Sequence, residues 1–160
     1  MSKLRWYIFL IGIAGASFFY FRYVAKKDLP GGDLQLLDGS ILPHASISNK
    51  VVVVNLWATW CPPCVAEIPA LNQLKNAYAS DDRVVFLAVS AEDPEKVKNF
   101  LSRTAFDFIQ VDPSHAYDFN KGLSRVYPRT FVYDRSGKLV KTFTGKMEGE
   151  KLAELEGLIK

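Results

Sequence analysis

Cys61 and Cys64 are the only cysteines in the 160-residue chain, and they stand in the run Trp60-Cys61-Pro62-Pro63-Cys64. A thiolate is both a nucleophile and a metal ligand, so such a pair could cycle through a disulfide or supply half of a zinc site. Zinc would need two more ligands, and only His44 and His115 are present, neither at ligand spacing from the pair. The redox reading leads, with no metal and no bound cofactor beyond the Cys61–Cys64 disulfide itself. The pair opens an expected helix directly after an apolar strand. A helix start carries roughly half a positive charge from unpaired N–H groups, which favours a thiolate. Cys61 lies ahead of the helix body and is expected to be reachable by another protein. Cys64 lies one turn in and is expected to be shielded. Cys61 is therefore the expected attacking thiolate and Cys64 the resolving one. Pro62 and Pro63 have no N–H, which leaves the Cys64 N–H as the expected local donor to the Cys61 sulfur and stiffens the turn.

The elements that must position this turn follow from pattern. Residues 33–43 hold Asp38-Gly39 between short apolar stretches and predict a small hairpin. Val51–Trp57 is a β-branched run suited to a strand buried on both faces. A helix is expected over about 62–79, with Val65, Ile68, Leu71, Leu74 and Tyr78 on one face and a kink at Pro69. Val84–Ser90 predicts a second buried strand, Pro94–Arg103 a helix, Phe108–Val111 a short strand and 114–121 a short helix. Thr130–Asp134 and Lys138–Phe143 flank Arg135-Ser136-Gly137 as a hairpin, and Leu152, Leu155, Leu158 and Ile159 stripe a final helix over 147–159. Strands alternating with helices before a hairpin predict an α/β fold around a mixed sheet. Glu92-Asp93-Pro94-Glu95 reads as a solvated helix start.

The charge of the chain is unevenly placed. The formal net charge is +3, yet residues 1–27 hold five basic residues and no acid, so the remainder carries −2. Nucleic-acid binding is not indicated. Trp6–Phe21 has no charged residue, and the stretch Trp6–Ala25 would span about 30 Å as a helix, the thickness of a bilayer's hydrocarbon. Trp6, Tyr7, Tyr20 and Tyr23 stand near its two ends, where aromatic rings favour the interface. The expected organisation is an uncleaved N-terminal membrane anchor over 1–27, a linker over 28–32 and one domain over 33–160. Ala14-Gly15-Ala16 would also suit a signal-peptidase site, so cleavage stays open as a second reading. Basic residues on both sides of the segment nearly balance, and charge alone does not orient it.

The run VVVVNLWATWCPPCVAEIPAL, Val51 to Leu71, resembles the thioredoxin-like TlpA/ResA group of membrane-anchored thiol–disulfide oxidoreductases. The stretches Tyr127-Pro128-Arg129-Thr130-Phe131-Val132-Tyr133-Asp134 and Ser136-Gly137-Lys138-Leu139-Val140 extend the likeness over roughly 33–160. The resemblance implies a thioredoxin-like fold and a cis bond before Pro128, which would set the Tyr127 backbone beside Cys61 to pair with an extended substrate. It implies that Glu67, in the pattern CxxCxxE, is partly buried near the dithiol, has a raised pKa and moves protons to or from the thiols. Asn55 stands where thioredoxin keeps a buried aspartate, so it cannot titrate. Trp60 is expected to form an exposed apolar wall for partners and Trp57 to be core. Substrate contact then falls to Trp60, Pro62, Tyr127 and Pro128.

The same resemblance implies a disulfide reductase on the extracytoplasmic (periplasmic) side of the inner membrane, acting on protein targets such as those of cytochrome c maturation or copper-site assembly. A transmembrane electron donor would supply it. The alternative is a copper- or metal-handling module on the same fold, but copper-delivery relatives carry CxxxC with a distal histidine, and Cys61 and Cys64 have two intervening residues rather than three. A peroxide-reducing role lacks the expected residues ahead of Cys61.

Overall fold

The computed structural model describes residues 28–120 and 126–160, with Trp6, Tyr7, residues 11–15 and Ser17 from the N-terminal segment. Those N-terminal positions are helical and exposed. The predicted anchor otherwise lies outside the described residues, and among these no helix is long and apolar enough to cross a membrane.

Among the described residues the domain has seven strands and four α-helices: β1 (Leu34–Gln35), β2 (Ile41–Leu42), β3 (Val51–Trp57), α1 (Pro62–Ala77), β4 (Val84–Ser90), α2 (Pro94–Leu101), β5 (Ile109–Val111), α3 (Ala116–Asn120), β6 (Arg129–Tyr133), β7 (Leu139–Thr144) and α4 (Glu150–Ile159). Five strands form one sheet in the order β5-β4-β3-β6-β7. β3 runs parallel to β4, β4 parallel to β5, and β6 antiparallel to both β3 and β7. This is the mixed sheet that the pattern predicted, in the thioredoxin-like form that the resemblance implied.

β3 sits at the centre because all seven of its residues are buried. One face carries Val51, Val53 and Trp57 against Ile68, Leu71 and Leu74 of α1, Val97 of α2 and Leu155 and Ile159 of α4. The other carries Val52, Val54 and Leu56 against Leu34, Ile47, Ala116 and Phe119. A period of two sorts the valines between two cores, so neither face of the strand meets water. Both crossover helices, α1 and α2, lie on one face, as successive parallel connections in one direction require.

Several boundaries differ from expectation. α1 ends at Ala77 and continues unbroken through Pro69, which is exposed. Tertiary packing of Ile68 and Leu71 on both sides of the proline outweighs the loss of one helix hydrogen bond. The short helix expected over 114–121 divides into a 3₁₀ turn, Pro113–His115, and α3, with residue 121 outside the described residues. α4 begins at Glu150, because residues 145–149 form a connection in which Gly145 (φ 81°) and Gly149 (φ 53°) take the left-handed conformation.

Candidate functional site

β3 ends at Trp57, its last parallel pair with β4 being Trp57–Ser90, and the chain then turns into α1 through Ala58-Thr59-Trp60-Cys61. Cys61 is the N-cap of α1, with φ −97° and ψ 100° and prolines in the first helical positions. Its backbone N–H donates to the Ala58 carbonyl (3.2 Å), and its carbonyl accepts the Val65 N–H (3.1 Å). The Cys64 N–H donates to the Cys61 Sγ at 3.3 Å, filling the role expected of it. The two sulfurs are joined in a disulfide of 2.04 Å with Cα atoms 5.3 Å apart.

The covering of the pair differs from the sequence expectation. Cys64 is shielded at 1% exposed, but Cys61 is also buried, at 4%. Position ahead of the helix does not by itself expose a side chain: Cys61 packs with the core that holds Trp57, Ala58 and Cys64. Trp60 beside it is 65% exposed, and Pro62 and Pro63 are exposed as well.

The Tyr127–Pro128 peptide bond is cis, as the motif implied. Pro128 is buried, and its carbonyl accepts the Gly145 N–H at 2.9 Å, tying the loop to the end of β7. The Tyr127 ring meets the Trp60 ring edge to face, with centroids 5.7 Å apart, so the cysteine turn and the proline loop share one aromatic surface. Trp57 packs as core at 0% exposed, against Phe100 and Phe106.

Glu67 is more deeply placed than the partly buried group the sequence suggested. It is 0% exposed. Its Oε1 accepts the Asn55 side-chain N–H at 2.8 Å, and its Oε2 accepts the Met147 backbone N–H at 2.7 Å. The same Asn55 amide donates to Thr130 Oγ1 at 3.1 Å. Burial pushes the Glu67 carboxyl up to about 7, against the opposing pull of the Met147 and Asn55 donors and of Lys151 and Lys146. One oxygen thus faces Asn55 of β3 and the other the turn before α4, and Asn55 links the carboxylate on to Thr130 of β6. Sequence reading pointed to Glu67 but not to Met147 or Thr130, which close the network from far along the chain.

Glu92 departs further from expectation. It does not act as a solvated helix start: its carboxylate turns back to the cysteine turn, where Oε2 accepts the Thr59 N–H (2.6 Å) and Oε1 the Thr59 hydroxyl (2.9 Å). The cap of α2 is Asp93, which accepts the Glu95 N–H at 2.9 Å. Two donors on one loop residue, the N–H and the hydroxyl of Thr59, attract a carboxylate more strongly than a helix end already capped. His115 serves the scaffold. His115 Nε2 accepts the Gln35 N–H at 3.1 Å while Nδ1 meets Asp118 at 3.2 Å. Among the described residues no cluster of His, Cys, Asp and Glu is arranged to hold a metal ion.

A dithiol–disulfide pair capping the first helix of a thioredoxin-like sheet, beside a cis-proline loop, defines the class of thiol–disulfide oxidoreductases. The chain belongs to the Redoxin family, whose pattern matches residues 25–159. It is 30% identical to the thiol-disulfide oxidoreductase ResA of Halalkalibacterium halodurans, over 94% of this chain and 90% of that protein. It is likewise 30% identical to the thioredoxin-like protein YneN of Bacillus subtilis, over 92% of this chain and 91% of that one. Among solved structures, a thioredoxin-family thiol:disulfide interchange protein from Chlorobium tepidum superposes with a TM-score of 0.69 at 26% identity, covering 84% of this chain and 97% of that one. The protein is a thiol–disulfide oxidoreductase of the ResA type and acts on disulfide-bonded protein substrates.

Proposed function

We propose that this oxidoreductase is a disulfide reductase held at the inner membrane by residues 1–27, with the domain over 33–160 on the extracytoplasmic side. The ResA likeness supports the reducing direction, and the observation that supports a protein substrate is the surface around the pair: an exposed Trp60 set edge to face against Tyr127, with the cis-proline loop beside it. Such a surface accepts an extended protein segment by backbone pairing and apolar contact. The Cys61 thiolate attacks a target disulfide, forming a mixed disulfide and releasing one target thiolate. Cys64 then attacks the Cys61 sulfur, the second target thiol leaves, and Cys61–Cys64 closes with two electrons passed to the target. Glu67, at about 7, is poised to take or give a proton at neutral pH as the dithiol changes state. An electron donor in the membrane would reopen the pair, and targets of the cytochrome c or copper-site kind fit the ResA likeness. The apolar, uncharged stretch Trp6–Phe21 supports anchoring.

The test is covalent trapping in cells expressing the full chain. Cys64→Ser is expected to accumulate mixed disulfides through Cys61, recovered from the membrane fraction, and Cys61→Ser is expected to trap none. Equal trapping by both variants would overturn the division of roles. Recovery of the protein only from the soluble fraction would overturn the anchor.

A further inference from the structure

β3 and β4 part after the Trp57–Ser90 pair, and one side chain keeps their continuations tied. Two residues further along each chain, the Glu92 carboxylate takes both the N–H and the hydroxyl of Thr59, at 2.6 and 2.9 Å. The Ser90 hydroxyl, on a residue 2% exposed, donates to Glu92 Oε2 at 3.3 Å and accepts the Glu92 N–H at the same distance. The carboxylate therefore carries the lateral contact of the sheet beyond the last ladder pair, to a point two residues ahead of Cys61.

The cysteine turn has few ties of its own. Pro62 and Pro63 offer no donors. Between Ala58 and the first helical bond at Val65, the turn is held by Cys61 N–H to the Ala58 carbonyl and Cys64 N–H to the Cys61 sulfur. In the oxidised state the disulfide adds a covalent closure. When that bond opens, the separation of the two thiols depends on how firmly residues 58–61 are held against α1.

We propose that Glu92 is a positioning residue for the dithiol. By gripping Thr59 at two points it holds Trp60 and Cys61 against the start of α1 in the reduced state, and so raises the effective concentration of one thiol for the other. The catalytic atoms remain the two sulfurs. Glu92 acts through Thr59.

Equilibration of the full-length protein with glutathione reads this directly. Two glutathione thiols reduce the Cys61–Cys64 bond to two thiols and leave as one glutathione disulfide. Glu92→Ala is expected to lower the effective concentration about tenfold, equivalent to a potential about 30 mV less negative. Glu92→Gln keeps an oxygen for the Thr59 N–H and an N–H for its hydroxyl, so it is expected to stay within about twofold of the parent. Thr59→Val, which loses one of the two bonds, is expected to fall between.

A carboxylate acting by its charge would shift the equilibrium equally in the alanine and glutamine variants, and that result overturns the proposal. So does an unchanged equilibrium in Glu92→Ala. Should Glu92→Ala fail to fold, Thr59→Val decides: parental behaviour there also overturns it. A parent protein that does not equilibrate with glutathione at all would instead count against the redox function.

Discussion

A carboxyl group cut off from water titrates where its neighbours allow. For Glu67 the cost of burial exceeds the help of the Met147 N–H and the Asn55 amide, leaving a value of about 7 against an ordinary 4.5. The folded state therefore holds this proton more tightly than the unfolded chain does. Its contribution to stability is fully present below about pH 4.5, declines as pH rises through 7 and is flat above, a fall of about 3 kcal/mol. Asn55 Oδ1 is buried without a partner. Rotating that amide by half a turn would present Oδ1 to a protonated Glu67, so the neutral acid finds an acceptor without rearranging the backbone. Urea unfolding of the oxidised protein between pH 5 and 8 is expected to show the decline, and Glu67→Gln is expected to flatten it. An equal slope in the variant would assign the effect to another group. The spacing of Glu67 from Cys64 was legible in the sequence, but its depth was not. Depth is set by Met147, 80 residues away, and Thr130, 75 residues from Asn55, contacts that no local pattern announces.

At the scale of elements, the patterns most easily read were those whose burial is complete. β3 and β4 read as buried strands because nearly every residue in them is apolar and buried. The β1–β2 hairpin was read from its Asp38-Gly39 turn, yet what it does could not be. It covers the edge of β5: the Leu37 N–H donates to the Gln110 carbonyl and the Asp112 N–H to the Gln35 carbonyl, both at 2.9 Å. His115 takes the Gln35 N–H from the other side. An edge strand of three residues is thereby protected from pairing with another chain. The hairpin's two residues facing opposite ways make a direct comparison. Leu34 is 2% exposed within the second core, whereas Ile41 is 57% exposed. Leu34→Ala is expected to cost about 2–5 kcal/mol in urea unfolding, and Ile41→Ala to stay within about 0.5 kcal/mol. Similar costs at both positions would mean that the hairpin does not dock through Leu34. The Glu92 contact belongs to the same lesson. Its acid was visible beside Pro94, but its partner Thr59 lies 33 residues earlier and is brought near only by the parallel pairing of β3 and β4.

Across the whole molecule the two ends of β3 have different neighbours. Its last residue leads into the cysteine turn, while its start lies beside the β6–β7 turn, since Val52 pairs with Tyr133. The chain enters the domain at that second pole. The Leu29 N–H donates to the Gly137 carbonyl at 2.7 Å, and Asp28 bridges to Lys138. A strand of seven residues separates the entry point from the disulfide by roughly 20 Å. If residues 1–27 anchor the protein as proposed, few residues remain between the bilayer and this pinned entry. The β6–β7 turn would then rest near the headgroups and the dithiol would face away from them. Its partners would have to reach that height above the membrane. Fluorophores placed by Ser136→Cys or Pro62→Cys, each in a Cys61→Ser/Cys64→Ser background, would measure this in full-length protein reconstituted in vesicles. Lipids with nitroxide headgroups are expected to quench the probe at 136 several-fold more than the probe at 62. Equal quenching at both sites would show that the domain tumbles freely on its linker. Stronger quenching at 62 would place the redox pole at the membrane and reverse the orientation, and failure of both proteins to float with the vesicles would count against the anchor itself.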